Sequence, residues 1–158
     1  MTYATTGEPG ADELLFLPLG GCNEIGINAN VYGHDGKWLL VDLGIGFTSD
    51  FYPGTDVIMP DMQFLAERKE DLVGIVATHA HEDHIGAIPF LWHDLQCPIF
   101  ASPFTAHMIH HKLVEAGLVG DAKIHIIQAG EQMRLGPFDL SYFTLTHSKS
   151  EHFVNKQM

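Results

Sequence analysis

The apolar run LVGIVA, residues 72–77, limits the possible folds of this chain more than any other segment. It is short, continuous and rich in β-branched residues, which is typical of a strand buried on both faces of a parallel sheet. CPIFAS, residues 97–102, is a second such run. Ser102-Pro103 then predicts the N-cap and first turn of a helix that ends at Gly117. Buried strands alternating with helices predict an α/β sheet covered by layered helices.

The first 45 residues predict antiparallel pairing instead. LLFLPLG, residues 14–20, is typical of a first strand, and INANVYG and KWLLVDLG flank the turn sequence His34-Asp35-Gly36, which predicts a β-hairpin. Gly44 to Pro60 predicts an irregular stretch, and Asp61 predicts the cap of a short helix through Lys69. The remaining segments predict one helix, IGAIPFLWHDL, and three closing strands, AKIHIIQ, EQMRLG and FDLSYFTLTH.

Length, composition and charge exclude several classes of protein. A chain of 158 residues with 46% hydrophobic residues predicts one globular domain. No apolar run approaches the roughly 18 residues of a membrane span, and the amino end lacks the basic segment of a secretory signal. Two isolated cysteines indicate no disulfide framework, so we expect a cytoplasmic protein without a membrane partner. With a net charge of −12 and eight Lys plus Arg, the chain alone is not expected to hold a long polyanion.

Three histidines and two carboxylates crowd into the six residues HAHEDH that follow the apolar run. His79 and His81 are two apart in extended backbone, so both side chains can point the same way. Asp83 and His84 come where the chain turns into a helix, and they can aim at a second point nearby. Nitrogen and oxygen ligands without sulfur suit Zn²⁺, with Mn²⁺ as the alternative. A solvated polar turn is the competing interpretation.

Several stretches of the sequence resemble known families. THAHEDH resembles the signature of the metallo-β-lactamase fold. LPLGGCNEIGINAN, LLVDLGIGF, DVIMPD and GIVATHAHEDHIGAIPFLW resemble the amino-terminal part of ribonuclease J, an RNA-degrading branch of that superfamily. The resemblance extends from about Leu14 to Ser148. It implies a metallo-β-lactamase-like αββα sandwich of which this chain carries the amino-terminal half.

The resemblance also implies a two-metal site of the di-zinc type. It assigns the first ion to His79, His81 and His147, and the second to Asp83 and His84, which it makes the catalytic pair. Asp42, in LLVDLG, is expected to orient the ligand loop by hydrogen bonding. A strand-end aspartate that caps a turn is the alternative for Asp42. Glu24, in GGCNEIG, is expected at the edge of the site, and a structural role in that glycine loop is equally open for it.

The end of the chain departs from the family. KSEHFVNKQM resembles nothing in ribonuclease J, where a bridging aspartate, a last histidine and the RNA-gripping insertion come from later segments. We therefore expect a flexible tail over residues 1–12, a partial domain over 13–148 and an atypical tail over 149–158. A truncated or frameshifted product and a deliberate fragment both fit this pattern. The missing ligand and insertion predict weak or no activity for the isolated chain.

Three functions remain open on these grounds. The first is a ribonuclease J-type metal-dependent nuclease acting on RNA. The second is a small-molecule hydrolase of the same fold, such as a thioesterase or lactonase. The third is a non-catalytic remnant that pairs with another chain. An uncovered sheet face or edge predicts a homo-oligomer. The spacing of His107, His110 and His111 would allow a stray metal ion, but a solvated helix face is the favoured interpretation.

Overall fold

The computed structural model describes residues 7–47, 56–145 and 152–155. The strands in this part of the chain are β1 Leu15–Gly20, β2 Ala29–His34, β3 Lys37–Val41, β4 Gly46–Phe47, β5 Val57–Ile58, β6 Leu72–Val76, β7 Ile99–Ala101, β8 Ile124–Ile126, β9 Gln132–Leu135, β10 Phe138–Leu145 and β11 His152–Asn155. The helices are α1 Gln63–Ala66, α2 Glu82–Ile85, α3 Ile88–Leu95 and α4 Pro103–Glu115. They confirm the predicted mixed α/β architecture with a central sheet.

The central sheet has six strands in the order β1-β2-β3-β6-β7-β8. Its first three strands are antiparallel, and β2 and β3 form the predicted hairpin. Asp35 and Gly36 both have positive φ, as the tight turn that joins such strands requires. From β3 onward the strands are parallel. The carboxyl ends of β3, β6 and β7 therefore meet at one edge of the sheet, where Asp42, Thr78 and Ser102 follow them.

Two hydrophobic cores cover the two faces of this sheet. Successive residues of a strand point to opposite faces. Leu40, Ile75 and Ile99 pack in the core that contains α2, α3 and α4. Their neighbours Leu39, Val76 and Phe100 pack instead against Phe138, Leu140 and Tyr142 of β10. β10 lies between β9 and β11 in a three-stranded sheet, and β4 pairs with β5 in a small two-stranded sheet. The central sheet therefore carries the helix layer on one face and the three-stranded sheet on the other.

Two helices differ from the sequence-based expectation. The helix expected over residues 85–95 begins later, at Ile88, and a separate short helix, α2, precedes it and ends at Ile85. Pro89 sits in the first turn of α3, where its missing N–H costs nothing. The helix expected from Asp61 to Lys69 ends at Ala66, and Lys69–Asp71 form a separate 3-10 turn. The cap prediction for α4 is confirmed, since Ser102 Oγ accepts from Thr105 N.

The expected tails lie only partly within the described residues. Pro9 and Gly10 accept backbone hydrogen bonds from Gly36 and Asp35 in the hairpin turn. Residues 152–155 pair antiparallel with β10. The boundaries at residues 12 and 149 stay predictions. In the part of the chain that the structure describes, none of the helices has the length and apolar character needed to cross a membrane.

Candidate metal centre

Asp42 is the buried anchor of the candidate site. It directly follows β3, has a φ of 65° and is 4% exposed. A non-glycine residue in this left-handed region is uncommon, although aspartate tolerates it better than most. Its Oδ1 accepts hydrogen bonds from the backbone N (2.8 Å) and the hydroxyl (3.0 Å) of Thr78, which follows β6. Asp42 thus joins the ends of two neighbouring parallel strands.

The second carboxylate oxygen of Asp42 orients His84. Asp42 Oδ2 lies 2.7 Å from His84 Nδ1, so Nδ1 carries the hydrogen. The other ring nitrogen, Nε2, keeps the lone pair that can bind a metal ion. Burial of His84 opposes its charged form. The hydrogen bond to Asp42 and the charges of Asp42 and Asp83 outweigh that effect, so the pKa of His84 lies above its ordinary value. The His84 Nε2 atom lies 3.4 Å from Asp83 Oδ2.

His79 and His81 form the first pair of donors, and Asp83 and His84 form the second. His79 is 5% exposed, and its Nδ1 lies 3.0 Å from Thr78 Oγ1. Its Nε2 lies 3.1 Å from Nδ1 of His81, which is exposed at the mouth of the site. The His79 and His84 rings pack with their centroids 3.9 Å apart. The structure therefore brings together four of the predicted ligands, with Asp42 behind them.

The spacing within each pair fits a bound metal ion. Two ligands of one tetrahedral zinc ion, each about 2.0–2.1 Å from it, lie roughly 3.3 Å apart. The His79–His81 and Asp83–His84 donor distances are 3.1 and 3.4 Å. Among the described residues no group of three or more His, Cys, Asp or Glu side chains could hold an ion. His147, the predicted third ligand of the first pair, lies outside the described residues.

Asn28 also contacts the candidate ligands, although the sequence pattern does not single it out. Its Nδ2 donates to the backbone oxygen of Asp83 at 2.9 Å and lies 3.2 Å from Asp83 Oδ2. The same atom lies 3.3 Å from His84 Nε2. Asn28 thus touches both donors of the second pair from the start of the hairpin. The only signal was its place in GINAN, inside one of the stretches that resemble ribonuclease J.

The backbone of the donor segment, residues 79–84, is held by loop residues that flank the amino-terminal strands. Three consecutive carbonyls, of Glu82, Asp83 and His84, accept hydrogen bonds at 2.8–3.0 Å from the backbone N–H groups of Ile45, Asn28 and Leu43. Gly44 makes this close approach possible. A Cβ at Gly44 would fall 1.7 Å from the Asp83 carbonyl oxygen, so no other residue fits there without moving the segment.

The remaining candidates lie apart from this cluster of contacts. Glu24 Oε1 accepts from Gly21 N at 3.1 Å, within its own glycine-bearing loop, and its side chain is exposed. His107, His110 and His111 are exposed on α4. His111 Nδ1 lies 3.5 Å from Glu115 Oε1, one helical turn away. The site-edge role of Glu24 and the solvated-face interpretation of the helical histidines both stay predictions.

A two-sheet α/β fold with histidines and an aspartate after a central strand defines a class of metallo-hydrolase-like proteins. The family model of the metallo-β-lactamase superfamily matches residues 23–137, and the chain belongs to that superfamily. Its members generally bind divalent metal ions. The metallo-β-lactamase fold protein YhfI from Bacillus subtilis superposes with a TM-score of 0.66 at 18% identity, covering 93% of this chain and 58% of that one. This likeness shows the fold.

The chain is also similar to ribonuclease J proteins from several bacteria. It is 42% identical over 144 residues to ribonuclease J of Sinorhizobium meliloti, which covers 89% of this chain and 26% of the relative. It is 39% identical over 132 residues to ribonuclease J of Mycobacterium tuberculosis, which covers 82% of this chain and 23% of the relative. The chain therefore spans about a quarter of the length of these relatives.

Proposed function

We propose that this chain is the amino-terminal part of a ribonuclease J-type hydrolase that cleaves phosphodiester bonds of RNA with two zinc ions, with Mn²⁺ as the alternative metal. The observation that carries the proposal is the pair of donor distances, 3.1 Å for His79–His81 and 3.4 Å for Asp83–His84. They occur in a chain that is 36–42% identical to ribonuclease J proteins. His147 is proposed to complete the first set of ligands.

The residues of this chain would divide the work as follows. Divalent ions, when bound, supply Lewis-acid chemistry that activates water and offsets charge on the phosphoryl oxygens. Asp83 and His84 would hold one ion at the reacting phosphate. Asp42 keeps His84 in the tautomer that presents Nε2, because its carboxylate accepts a hydrogen bond from Nδ1–H. Asn28 holds the Asp83 carboxylate beside that nitrogen.

We propose low activity for the 158-residue chain by itself. Each candidate pair has two donors in the described residues, whereas structural and catalytic zinc sites use three or four protein ligands. The chain also carries a net charge of −12, which repels an RNA backbone.

Two free cysteines, one exposed and one buried, support the proposal of a reducing, cytoplasmic location.

We also propose that the chain forms a homo-oligomer. The outer strands of the central sheet, β1 and β8, carry exposed apolar side chains: Phe16 is 53% exposed and Ile126 is 58% exposed. Sheet edges with apolar side chains favour pairing with another chain. A two-fold dimer would cover the same edge on both copies. Light scattering coupled to size exclusion tests this, and a cooperatively melting monomer at all concentrations would contradict it.

The function is tested by offering the zinc-loaded chain three substrates. These are a 5′-labelled single-stranded RNA, a thioester and a lactone, each with and without chelator. We expect slow, chelator-sensitive RNA cleavage that Asp83→Ala abolishes and no hydrolysis of the other two. Hydrolysis of the thioester or lactone but not RNA would replace the nuclease by a small-molecule hydrolase. A zinc-bound chain inactive on all three would indicate a non-catalytic protein.

A further inference from the structure

An ion pair connects the donor segment to a distant helix. Lys112, in the last turn of α4, places its Nζ 2.6 Å from Oε1 of Glu82, thirty residues earlier in the sequence. Glu82 is the first residue of α2 and stands between His81 and Asp83. The Lys112 side chain is 21% exposed, which is half the exposure of Lys37 in the similar ion pair with Asp71. The Glu82 side chain is 46% exposed, so the contact is open to solvent on its carboxylate side.

The donor segment needs such external support. α2 has four residues and no side-chain cap at His81, and an isolated turn of this length is not stable by its own hydrogen bonds. Its carbonyls are held by Asn28, Leu43 and Ile45, which lie in the loops that flank β2 and β3. Its first side chain is held by α4. The Glu82 carboxylate also lies over Gly86, where a Cβ would come within 2.7 Å of Oε2.

We infer that Lys112 is a positioning residue of the metal centre. Its ion pair with Glu82 holds the neighbouring Asp83 and His84 in position. This role rests on the metal site proposed above. Lys112 itself is proposed to touch neither metal nor substrate. Partners that lie behind metal ligands fix the geometry of those ligands, and their loss lowers metal affinity even when the fold persists.

Simple charge effects predict a different pattern, and this makes the role testable. Removing the Lys112 charge leaves a carboxylate free to attract a cation, so Coulomb's law alone predicts tighter metal binding. Removing the Glu82 charge predicts weaker binding by the same law. Positioning predicts weaker binding in both cases, because either change breaks the same tie. For the loss of the Lys112 charge, Coulomb's law predicts tighter metal binding and positioning predicts weaker metal binding.

The experiment is a Co²⁺ titration of the full chain, followed by the visible absorption of the bound ion and by apo-protein melting. The variants are Lys112→Met, Glu82→Gln, the double variant and Lys112→Arg. Lys37→Met is the matched control, since its 2.7 Å ion pair with Asp71 lies at the amino ends of β3 and β6, opposite the strand ends that the donors follow. We expect roughly tenfold weaker Co²⁺ binding in both single variants and no further loss in the double variant. Lys112→Arg should restore most of the affinity and the spectrum.

Each other outcome contradicts the role of Lys112 in a distinct way. Tighter Co²⁺ binding by Lys112→Met would mean that only charge matters. Unchanged affinity with a lower melting temperature, as expected for Lys37→Met, would make the ion pair purely structural. Affinity losses that add in the double variant would show that the two residues act separately. Failure of the wild-type chain to bind Co²⁺ at all would remove the proposed metal site, and the role with it.

Discussion

His84 Nδ1 lies 2.7 Å from Asp42 Oδ2, and Asp42 is 4% exposed. The same carboxylate accepts from the backbone and the hydroxyl of Thr78, so one buried side chain sets both the start and the end of the histidine-rich segment. A buried carboxylate without such partners would be costly. With them, it fixes the His84 ring and the turn that carries His79.

Replacing Asp42 by alanine should therefore damage both stability and metal binding. Removing the acceptor leaves the Thr78 N–H and His84 Nδ1 without their partner, which costs about 2–4 kcal/mol of unfolding free energy in the apo protein. Zinc affinity should fall roughly 10- to 100-fold. Urea denaturation and competition with a chelating dye measure the two effects. Asp61→Ala is the control, because Asp61 is exposed and, within the part of the chain that the structure describes, accepts from Gln63 N; equal losses there would contradict the assignment.

Metal content should depend on the strand-end histidines and not on those of α4. Because His79 Nε2 and His81 Nδ1 lie 3.1 Å apart, changing either residue to alanine should remove most of the bound zinc. Elemental analysis after dialysis measures this directly. The double variant His107→Ala/His111→Ala should keep its zinc. The reverse result would move the site to the helix.

Alanine at position 44 should displace the donor segment. Its Cβ would meet the Asp83 carbonyl oxygen at 1.7 Å, so the backbone must move, at a cost of about 2–3 kcal/mol of stability and a loss of zinc affinity. Gly117→Ala is a suitable control, since its φ of +72° is strained for alanine but no atom lies within 4 Å. It should lose about 1 kcal/mol and no zinc affinity. Equal zinc affinities of Gly44→Ala and Gly117→Ala would show that metal binding does not need the close approach of Gly44 to Asp83.

The two cysteines should differ in reactivity. Cys22 is exposed, whereas burial raises the pKa of the Cys97 thiol from 9.0 to about 12. A thiol reagent at neutral pH should modify one thiol in the folded chain and the second only on unfolding. Rapid modification of both in native conditions would contradict the burial of Cys97.

The raised pKa of Cys97 also predicts a pH dependence of stability. The folded state keeps this thiol neutral, while the unfolded thiol ionises near its ordinary value of 9.0. The contribution to stability is therefore complete below about pH 9 and is lost as the pH rises toward 12, by at most about 1.4 kcal/mol per pH unit. Comparing urea denaturation of wild type and Cys97→Ala across this range isolates the effect. A constant difference between them would exclude it.

The sequence predicts those structural features that depend on residues close together in the chain. The His34-Asp35-Gly36 turn, the buried β6 strand and the Ser102 cap depend on neighbouring residues, and all three are confirmed. Asn28 could not be selected this way, because it contacts Asp83 across 55 residues of sequence. The separate helix α2 is not predictable in this way either, for a related reason. Hydrogen bonds from Asn28, Leu43 and Ile45, which are distant in sequence, hold the backbone of residues 82–84.

The three carbonyls of Glu82, Asp83 and His84 that receive N–H groups from residues 28–45 make the histidine motif dependent on a distant segment. The sequence HAHEDH by itself does not determine the arrangement of the candidate ligands. Grafting it onto the end of another buried strand would transfer these residues without the contacts that position them. Conversely, an ion that binds Asp83 and His84 also stabilises the hairpin that holds them, through linkage between binding and folding. Metal loading should therefore slow amide hydrogen exchange at Asn28, Leu43 and Ile45, although these residues are far from the histidine motif in sequence.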